Sequence, residues 1–294
     1  MSIHRYTTLI SATNLAALIA SGSETMTIFD CRFDLTDENA GKLAYEADHL
    51  PGAHYVHLAN ELSGPCTGQN GRHPLPERTT LAQQLAACGL HNNHQVIAYD
   101  AQGGIFAARL WWLLRWLGHE AVAVLDGGLQ AWQKANLPLS STRPIARSGD
   151  FEPTAPLAVT TDVTTVMRNL STHEYTLIDA RSAARYRGQN ETLDAVGGHI
   201  PGAINRFYKD NLTADGHFKP AHVLRDEFNS LLDKKPAQRV ILQCGSGVSA
   251  CLNALAMEIA GLHGAALYAG SWSEWCADPT RPVATGYTHA KVAP

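Results

Sequence analysis

Cys244 closes the apolar run Val240-Ile241-Leu242-Gln243 and is followed by Gly245, Ser246, Gly247, Val248 and Ser249, then by a helix-forming stretch. A thiol at such a position is a candidate nucleophile. At its ordinary pKa a cysteine is only about 3% ionised at neutral pH, so the surroundings must favour the thiolate. A helix N-terminus contributes about 1 kcal/mol, less than one pKa unit. Two glycines let the backbone curl, so that several N–H groups converge on the sulfur and supply the rest. Such a cradle also suits a terminal persulfide anion. The competing reading is a buried structural cysteine at a strand end. Cys251 falls in an Ala/Leu-rich helix and reads as core, and Cys31, Cys66, Cys88 and Cys276 have no comparable surroundings.

The elements that position Cys244 occur twice. TIFDCR (residues 27–32) followed by HLPGAHYV (49–56) matches TLIDAR (176–181) followed by GHIPGAIN (198–205). VIAYD (96–100) and the apolar helix 105–116 match VILQC (240–244) and the helix 249–259. VLDGGLQAW (124–132) matches LYAGSWSEW (267–275). Four matching blocks in one order imply two homologous domains. Strands alternate with helices, which predicts two α/β domains, each a mainly parallel sheet flanked by helices. A helix is expected from Thr79 or Thr80 to Gly89, and another over residues 222–232. The expected boundaries are 1–139, a polar, proline-containing linker at 140–156, and 157–294. Reactive groups in open α/β sheets collect beyond the carboxyl ends of strands. At that position the second half has Cys244 and the first has Asp100, so only the second can present a thiol there.

These blocks resemble the tandem-domain rhodanese family, which includes thiosulfate and 3-mercaptopyruvate sulfurtransferases, over almost the whole chain. CGSGVS resembles the family's active-site loop and ALYAGSWSEW its C-terminal motif. The resemblance implies a Cys244 persulfide that receives sulfur from a small anionic donor and passes it to a thiol or cyanide, with no metal or organic cofactor. Thiosulfate-preferring members place basic residues directly after the cysteine. Gly245 and Ser246 stand there instead, as in mercaptopyruvate enzymes, and Gly247, Val248 and Ser249 complete the substrate-facing loop. Ser246 is expected to donate to the reacting sulfur or carbonyl, or else to cap the loop. Arg185 matches the family's anion-binding arginine, whose planar fork suits a carboxylate, the alternative being an ion pair. Arg181 reads as a structural contact after its strand, and Arg187 as a second contact or an exposed charge. His73 fits the histidine of a serine–histidine–aspartate relay, and Arg72 is a further anion contact.

Two positions depart from the family pattern. The second carboxylate-binding arginine of mercaptopyruvate enzymes is missing from QNETLDAVG (189–197), where Asp194 stands near that point. The aspartate of the relay is Ala59, beside Asn60 and Glu61.

Bulk properties fit this reading. The 294 residues carry 45% hydrophobic and 17% charged residues and a net charge of −4, which gives no electrostatic reason to expect nucleic acid or an anionic membrane. No apolar run approaches the ~20 residues of a membrane span, and MSIHRYTTLI shows no secretory signal. A cytoplasmic monomer is expected. Six cysteines without a CxxC pair argue against a disulfide framework or structural zinc. Histidines such as His54 and His57 read as surface or loop residues. Three rivals remain: a thiosulfate-preferring enzyme, a noncatalytic sulfur carrier, and a phosphatase on the same fold. The last needs an arginine closing a longer loop, whereas the sixth residue after Cys244 is Ala250, followed by Cys251.

Overall fold

A computed structural model describes residues 5–23, 25–145 and 148–286. The chain divides into two units. The first comprises Met1–Gly64, Leu75–Ala158 and Leu212–Lys219, and the second Pro65–Pro74, Val159–Asn211 and Pro220–Pro294. Arg72 and His73, from the first half of the sequence, therefore belong to the second unit.

The first unit contains β1 (Leu9–Ile10), α1 (Ala12–Ala20), β2 (Met26–Asp30), α2 (Ala40–Ala47), β3 (Ala53–Tyr55), α3 (Arg78–Ala87), β4 (Gln95–Tyr99), α4 (Ile105–Trp116), β5 (Val122–Leu125) and α5 (Gly128–Lys134). The second contains β6 (Val159–Thr161), α6 (Val163–Thr172), β7 (Thr176–Asp179), α7 (Ala183–Tyr186), β8 (Ile204–Asn205), α8 (Ala221–Leu232), β9 (Val240–Gln243), α9 (Ser249–Ile259), β10 (Ala266–Tyr268) and α10 (Ser271–Trp275). Each unit has a five-stranded sheet, ordered β1-β5-β4-β2-β3 and β6-β10-β9-β7-β8, and all pairings are parallel. Adding five to each strand number of the first sheet gives the second, so the repeat seen in sequence is a repeat of topology.

The middle of each central strand is apolar because helices cover both faces of a parallel sheet. Val96, Ile97 and Ala98 in β4, and Val240, Ile241 and Leu242 in β9, are buried. Trp132 packs in the first core, and Trp272 and Trp275 in the second. Each tryptophan directs its indole N–H to a carbonyl: Trp132 to Pro138, Trp272 to Val196, Trp275 to Pro282.

The Asp-x-Arg motifs are structural in both units. Asp179 accepts from the Arg181 backbone N–H at 2.9 Å and from its guanidinium Nη2 at 2.6 Å, and Nη2 also donates to the Gly198 carbonyl at 2.7 Å. Asp30 and Arg32 repeat this pairing, and Arg32 reaches the Asp48 carbonyl. The arginine thereby pins the strand end to the Pro-Gly turn that leads into the next strand. In both turns a histidine stacks on a tyrosine, His49 on Tyr45 and His199 on Tyr186, with ring centroids 4.1 and 3.8 Å apart.

Two local expectations are corrected. α3 is capped by Glu77, whose carboxylate accepts from the Thr80 N–H at 2.7 Å, rather than by a threonine. His54 lies in β3 and is half-buried rather than in a loop, whereas His57 lies in the loop after β3, one of the two expected places, but not at the surface. It is buried, its Nε2 pairing with the Glu38 carbonyl at 3.0 Å and its Nδ1 accepting from the Ala59 N–H at 3.1 Å.

Candidate active site

β9 delivers Cys244 to its carboxyl end, and five loop and helix-start residues carry the chain into α9. Residues 271–273 hold this loop by its backbone. Cys244 N–H donates to Ser271 Oγ at 3.1 Å, Trp272 N–H to the Cys244 carbonyl at 3.0 Å, and Ser273 N–H to the Gly245 carbonyl at 2.9 Å. Ser271 has φ 54°, an uncommon conformation for a non-glycine residue, and its hydroxyl also donates to the Tyr268 carbonyl. Gly247 has φ +75°, and a Cβ there would lie 2.4 Å from the Ala269 carbonyl oxygen, so the turn requires glycine for both reasons.

Cys244 is 2% exposed, and Cys251 is buried deeper in α9 with its sulfur 3.2 Å from the Gly247 carbonyl. The surroundings of the Cys244 loop are nevertheless polar and charged. Ser246 Oγ and His73 Nδ1 are 2.8 Å apart, both residues buried. A Cβ on Gly245 would lie 3.0 Å from Arg72 Nη2 and 3.4 Å from Arg185 Nη2, so two guanidiniums lie against the residue next to Cys244. The Arg72 backbone N–H donates to Ser273 Oγ at 3.0 Å, which ties the 65–74 segment to the same α10 start that pins the loop. Val248 precedes α9, and Ser249 begins it; both are buried. Of the residues singled out in sequence, the fold thus gathers Cys244, Gly245, Ser246, Gly247, Val248, Ser249, Arg72, His73 and Arg185 in one unit.

Arg185 extends from α7 into a cluster of carboxylates. Its Nε and Nη2 donate to the two Glu191 oxygens at 2.9 and 2.8 Å, and Nη2 lies 3.2 Å from Asp194 Oδ2. Asp194 Oδ1 is bound by Arg72 Nη1. Burial opposes ionisation of Glu191, but the Arg185 bonds and the Leu193 N–H hold its carboxyl below the usual range. Asp194 goes the other way: burial raises it, Arg72 pulls it down, and Glu191 adds to the rise. Arg181 lies 3.5 Å from Glu191, stacks over the Trp272 ring at 4.8 Å, and is within electrostatic reach of Cys244. Arg187 instead runs toward Gln189, 3.4 Å away. Glu61, near the expected relay aspartate, accepts from the His57 N–H at 2.7 Å in the first unit.

The first unit shows what the equivalent loop holds. Asp100 follows β4 as Cys244 follows β9, and Gly103 (φ 78°) matches Gly247. Asp100 Oδ1 accepts from the N–H groups of Gln102 and Gly104, and Oδ2 from those of Phe106 and Ala107, at 2.8–3.0 Å. Burial pushes this carboxyl up while the four N–H groups pull it down. The loop between strand and helix is therefore built to surround a carboxyl group with N–H donors.

The model of the rhodanese-like domain matches residues 11–135 and again 162–278. The chain belongs to the rhodanese family. A probable 3-mercaptopyruvate sulfurtransferase of Pseudomonas aeruginosa is 45% identical over 280 residues, 95% of this chain and 98% of that protein. A putative thiosulfate sulfurtransferase of Mycobacterium tuberculosis is 39% identical, covering 95% and 97%. Among solved structures, the 3-mercaptopyruvate sulfotransferase SseA of Escherichia coli superposes with a TM-score of 0.78 at 30% identity, over 91% of this chain and 99% of that one. This rhodanese is a sulfurtransferase.

Sequence reasoning missed Glu191 and the anchoring by Ser271 and Ser273. The first had a signal, two carboxylates in the segment 189–197 where the family pattern has an arginine. The second lay in the repeated AGSWSEW block, whose role as a clamp on the cysteine loop appears only in the backbone bonds. Cys276 is also less isolated than its sequence context implied: burial and then the Asp194 charge raise its thiol. Among the described residues there is no group of three or more His, Cys, Asp or Glu able to hold a metal, and no helix is long and apolar enough to cross a membrane.

Proposed function

We propose that this rhodanese takes sulfur from 3-mercaptopyruvate onto Cys244 and passes it to a thiol or to cyanide. The observation that carries the reading is the buried Ser246–His73 pair beside a cysteine loop faced by two arginines. The 45% identical relative named as a probable 3-mercaptopyruvate sulfurtransferase supports the choice of donor.

In the first half-reaction the Cys244 thiolate attacks the donor sulfur. An S–S bond forms, the donor C–S bond breaks, and its electron pair leaves as the enolate of pyruvate, which takes up one proton. Arg185, with Arg72, orients the donor carboxylate, and a guanidinium fork does this with two parallel hydrogen bonds. Ser246 Oγ, linked to His73, is placed to polarise the carbonyl and to deliver the proton to the enolate. In the second half-reaction an acceptor thiolate or cyanide attacks the outer sulfur and the Cys244 thiolate departs, giving a ping-pong cycle. The backbone cradle that surrounds the Asp100 carboxylate in the first unit supports the idea that its counterpart holds thiolate and persulfide charge.

Intact mass after exposure to each donor tests this. A gain of one sulfur atom from 3-mercaptopyruvate, absent in Cys244→Ser, is expected. Labelling only by thiosulfate would reassign the donor, and sulfur retained by Cys244→Ser would overturn the assignment of the nucleophile. A protein that accepts sulfur but never releases it to cyanide or dithiols would be a carrier rather than an enzyme.

A further inference from the structure

The two guanidiniums nearest the Cys244 loop are already occupied. Asp194 places Oδ1 on Arg72 and Oδ2 on Arg185, so its carboxylate spans both, as a donor carboxylate would have to do. Its side chain is only 4% exposed. Glu191 differs from it in one respect. Besides Arg185, Glu191 Oε1 accepts from the backbone N–H groups of Leu193 and Asp194 at 2.9 and 3.2 Å and so shapes its own loop. Asp194 contributes its carboxylate to the arginines. The segment around it has no helix or strand and is tied down by Glu191 on one side and by the Val196 carbonyl, held by Trp272, on the other. Asp194 sits between these anchors, flanked by the exposed Leu193 and Ala195.

Charge counting sharpens the point. Arg181 is matched by Asp179, Arg185 by Glu191 and Arg72 by Asp194. The groups facing Asp194 are Arg72 from segment 65–74, Arg185 from α7, Arg181 from the end of β7, Glu191 from its own loop and the Cys276 thiol beyond α10. Each of these arginines already has a carboxylate partner, so an incoming anion must compete for the guanidiniums.

We infer that Asp194 is a specificity-determining residue, a resident carboxylate that holds the arginine fork and that an anionic donor must displace to reach Cys244. The inference rests on the reading of Arg185 and Arg72 as donor contacts. Displacement leaves Asp194 beside a second anion, which favours its protonated form, so donor binding takes up a proton and strengthens as pH falls. Burial already raises Asp194 above the usual carboxylate range, which moves this dependence toward neutrality.

The test is Asp194→Asn, with Asp194→Ala as a second variant should the first fold poorly. Two quantities are measured from neutral to mildly acidic pH: the KM and kcat for 3-mercaptopyruvate, and the affinity for pyruvate by calorimetry. Pyruvate carries the carboxylate without the sulfur. Loss of the competing charge-assisted bonds is expected to lower KM by about tenfold, with kcat changed by less than about twofold. Pyruvate should bind more tightly by a similar factor. Wild-type affinity should rise on acidification, and that rise should be flattened in the variant. An unchanged or raised KM together with unchanged or weaker pyruvate binding would overturn the inference, because Asp194 would then be positioning the arginines for the donor. Pyruvate binding to the wild type that ignores pH would also overturn it. Failure of the underlying sulfur-transfer reading looks different: no sulfur is added to Cys244 by mass, whatever the pyruvate titration reads.

Discussion

If Ser246 and His73 act as one proton-handling unit, a double-mutant cycle on Ser246→Ala and His73→Ala has a definite form. The pair is 2.8 Å apart and both residues are buried, so their contact is shielded from water and each group depends on the other for alignment. General acid–base catalysis contributes about 10²–10⁴ in rate, so each single substitution should lower kcat/KM with 3-mercaptopyruvate by that amount, about 3–5 kcal/mol. Groups that act as a unit lose their effect once, so the double variant should be no slower than the worse single one. The coupling energy is then nearly as large as either single loss. A pair that merely closes the loop behaves otherwise. It would couple by about 1 kcal/mol, the size of one buried hydrogen bond, and the loss would appear in urea unfolding rather than in rate. The assay measures pyruvate release with cyanide as acceptor, alongside unfolding curves for all four proteins. Additive losses in kcat/KM, or a Ser246→Ala protein at full rate, would refute the shared role.

Two further substitutions probe the scaffold. Gly202 and Gly247 have φ near +80° and +75°, but a Cβ at Gly202 meets nothing within 4 Å whereas one at Gly247 lies 2.4 Å from the Ala269 carbonyl oxygen. Gly202→Ala should cost only the conformational strain, about 1–2 kcal/mol in urea unfolding. Gly247→Ala should cost about 2 kcal/mol more and lower kcat/KM as well; equal unfolding curves for the two would refute the steric argument. Asp100→Ala strands four N–H groups, three of them buried, and should destabilise the protein by about 3 kcal/mol or more, and an unfolding midpoint equal to wild type would show that the loop does not need its carboxyl group.

The repeat, the parallel sheets and the position of Cys244 were legible in sequence because each rests on local pattern. Apolar runs mark buried strands, glycines mark the turns after them, and duplication lets each half check the other. The pairings that tune the site were not. Arg72 and His73 are far in sequence from Ser246, and no local rule states that segment 65–74 packs in the second unit. Asp194 was visible as a departure from the family pattern, but the path of loop 189–197, which decides whether its carboxylate meets solvent or two arginines, depends on Trp272 holding the Val196 carbonyl. The burial of the loop residue His57 was hidden for a related reason. A histidine beside a turn is commonly exposed, and only the fold shows that this one satisfies buried backbone groups on both sides of its ring.

The two units share one backbone device and differ in what sits at its focus. Leu129 N–H meets the Asp100 carbonyl at 2.9 Å, as Trp272 N–H meets that of Cys244 at 3.0 Å. The residues before these donors, Gly128 and Ser271, have φ 57° and 54°. Glycine adopts that angle at little cost. Serine does not, and in the second unit its hydroxyl is bonded to Cys244 N–H and to the Tyr268 carbonyl. The geometry is thus retained where the side chain must do additional work, and it is retained at the cysteine. In the first unit the side chain at the focus is a carboxyl group that takes up four of the loop's N–H groups, although burial raises its pKa. Cys244 stands at the matching place in the second unit, and of the two side chains only a thiol has the chemistry to accept and release sulfur. The two halves share the strand-to-helix loop and its backbone clamp, and on the proposed reading the difference between Asp100 and Cys244 confines the sulfur chemistry to the second.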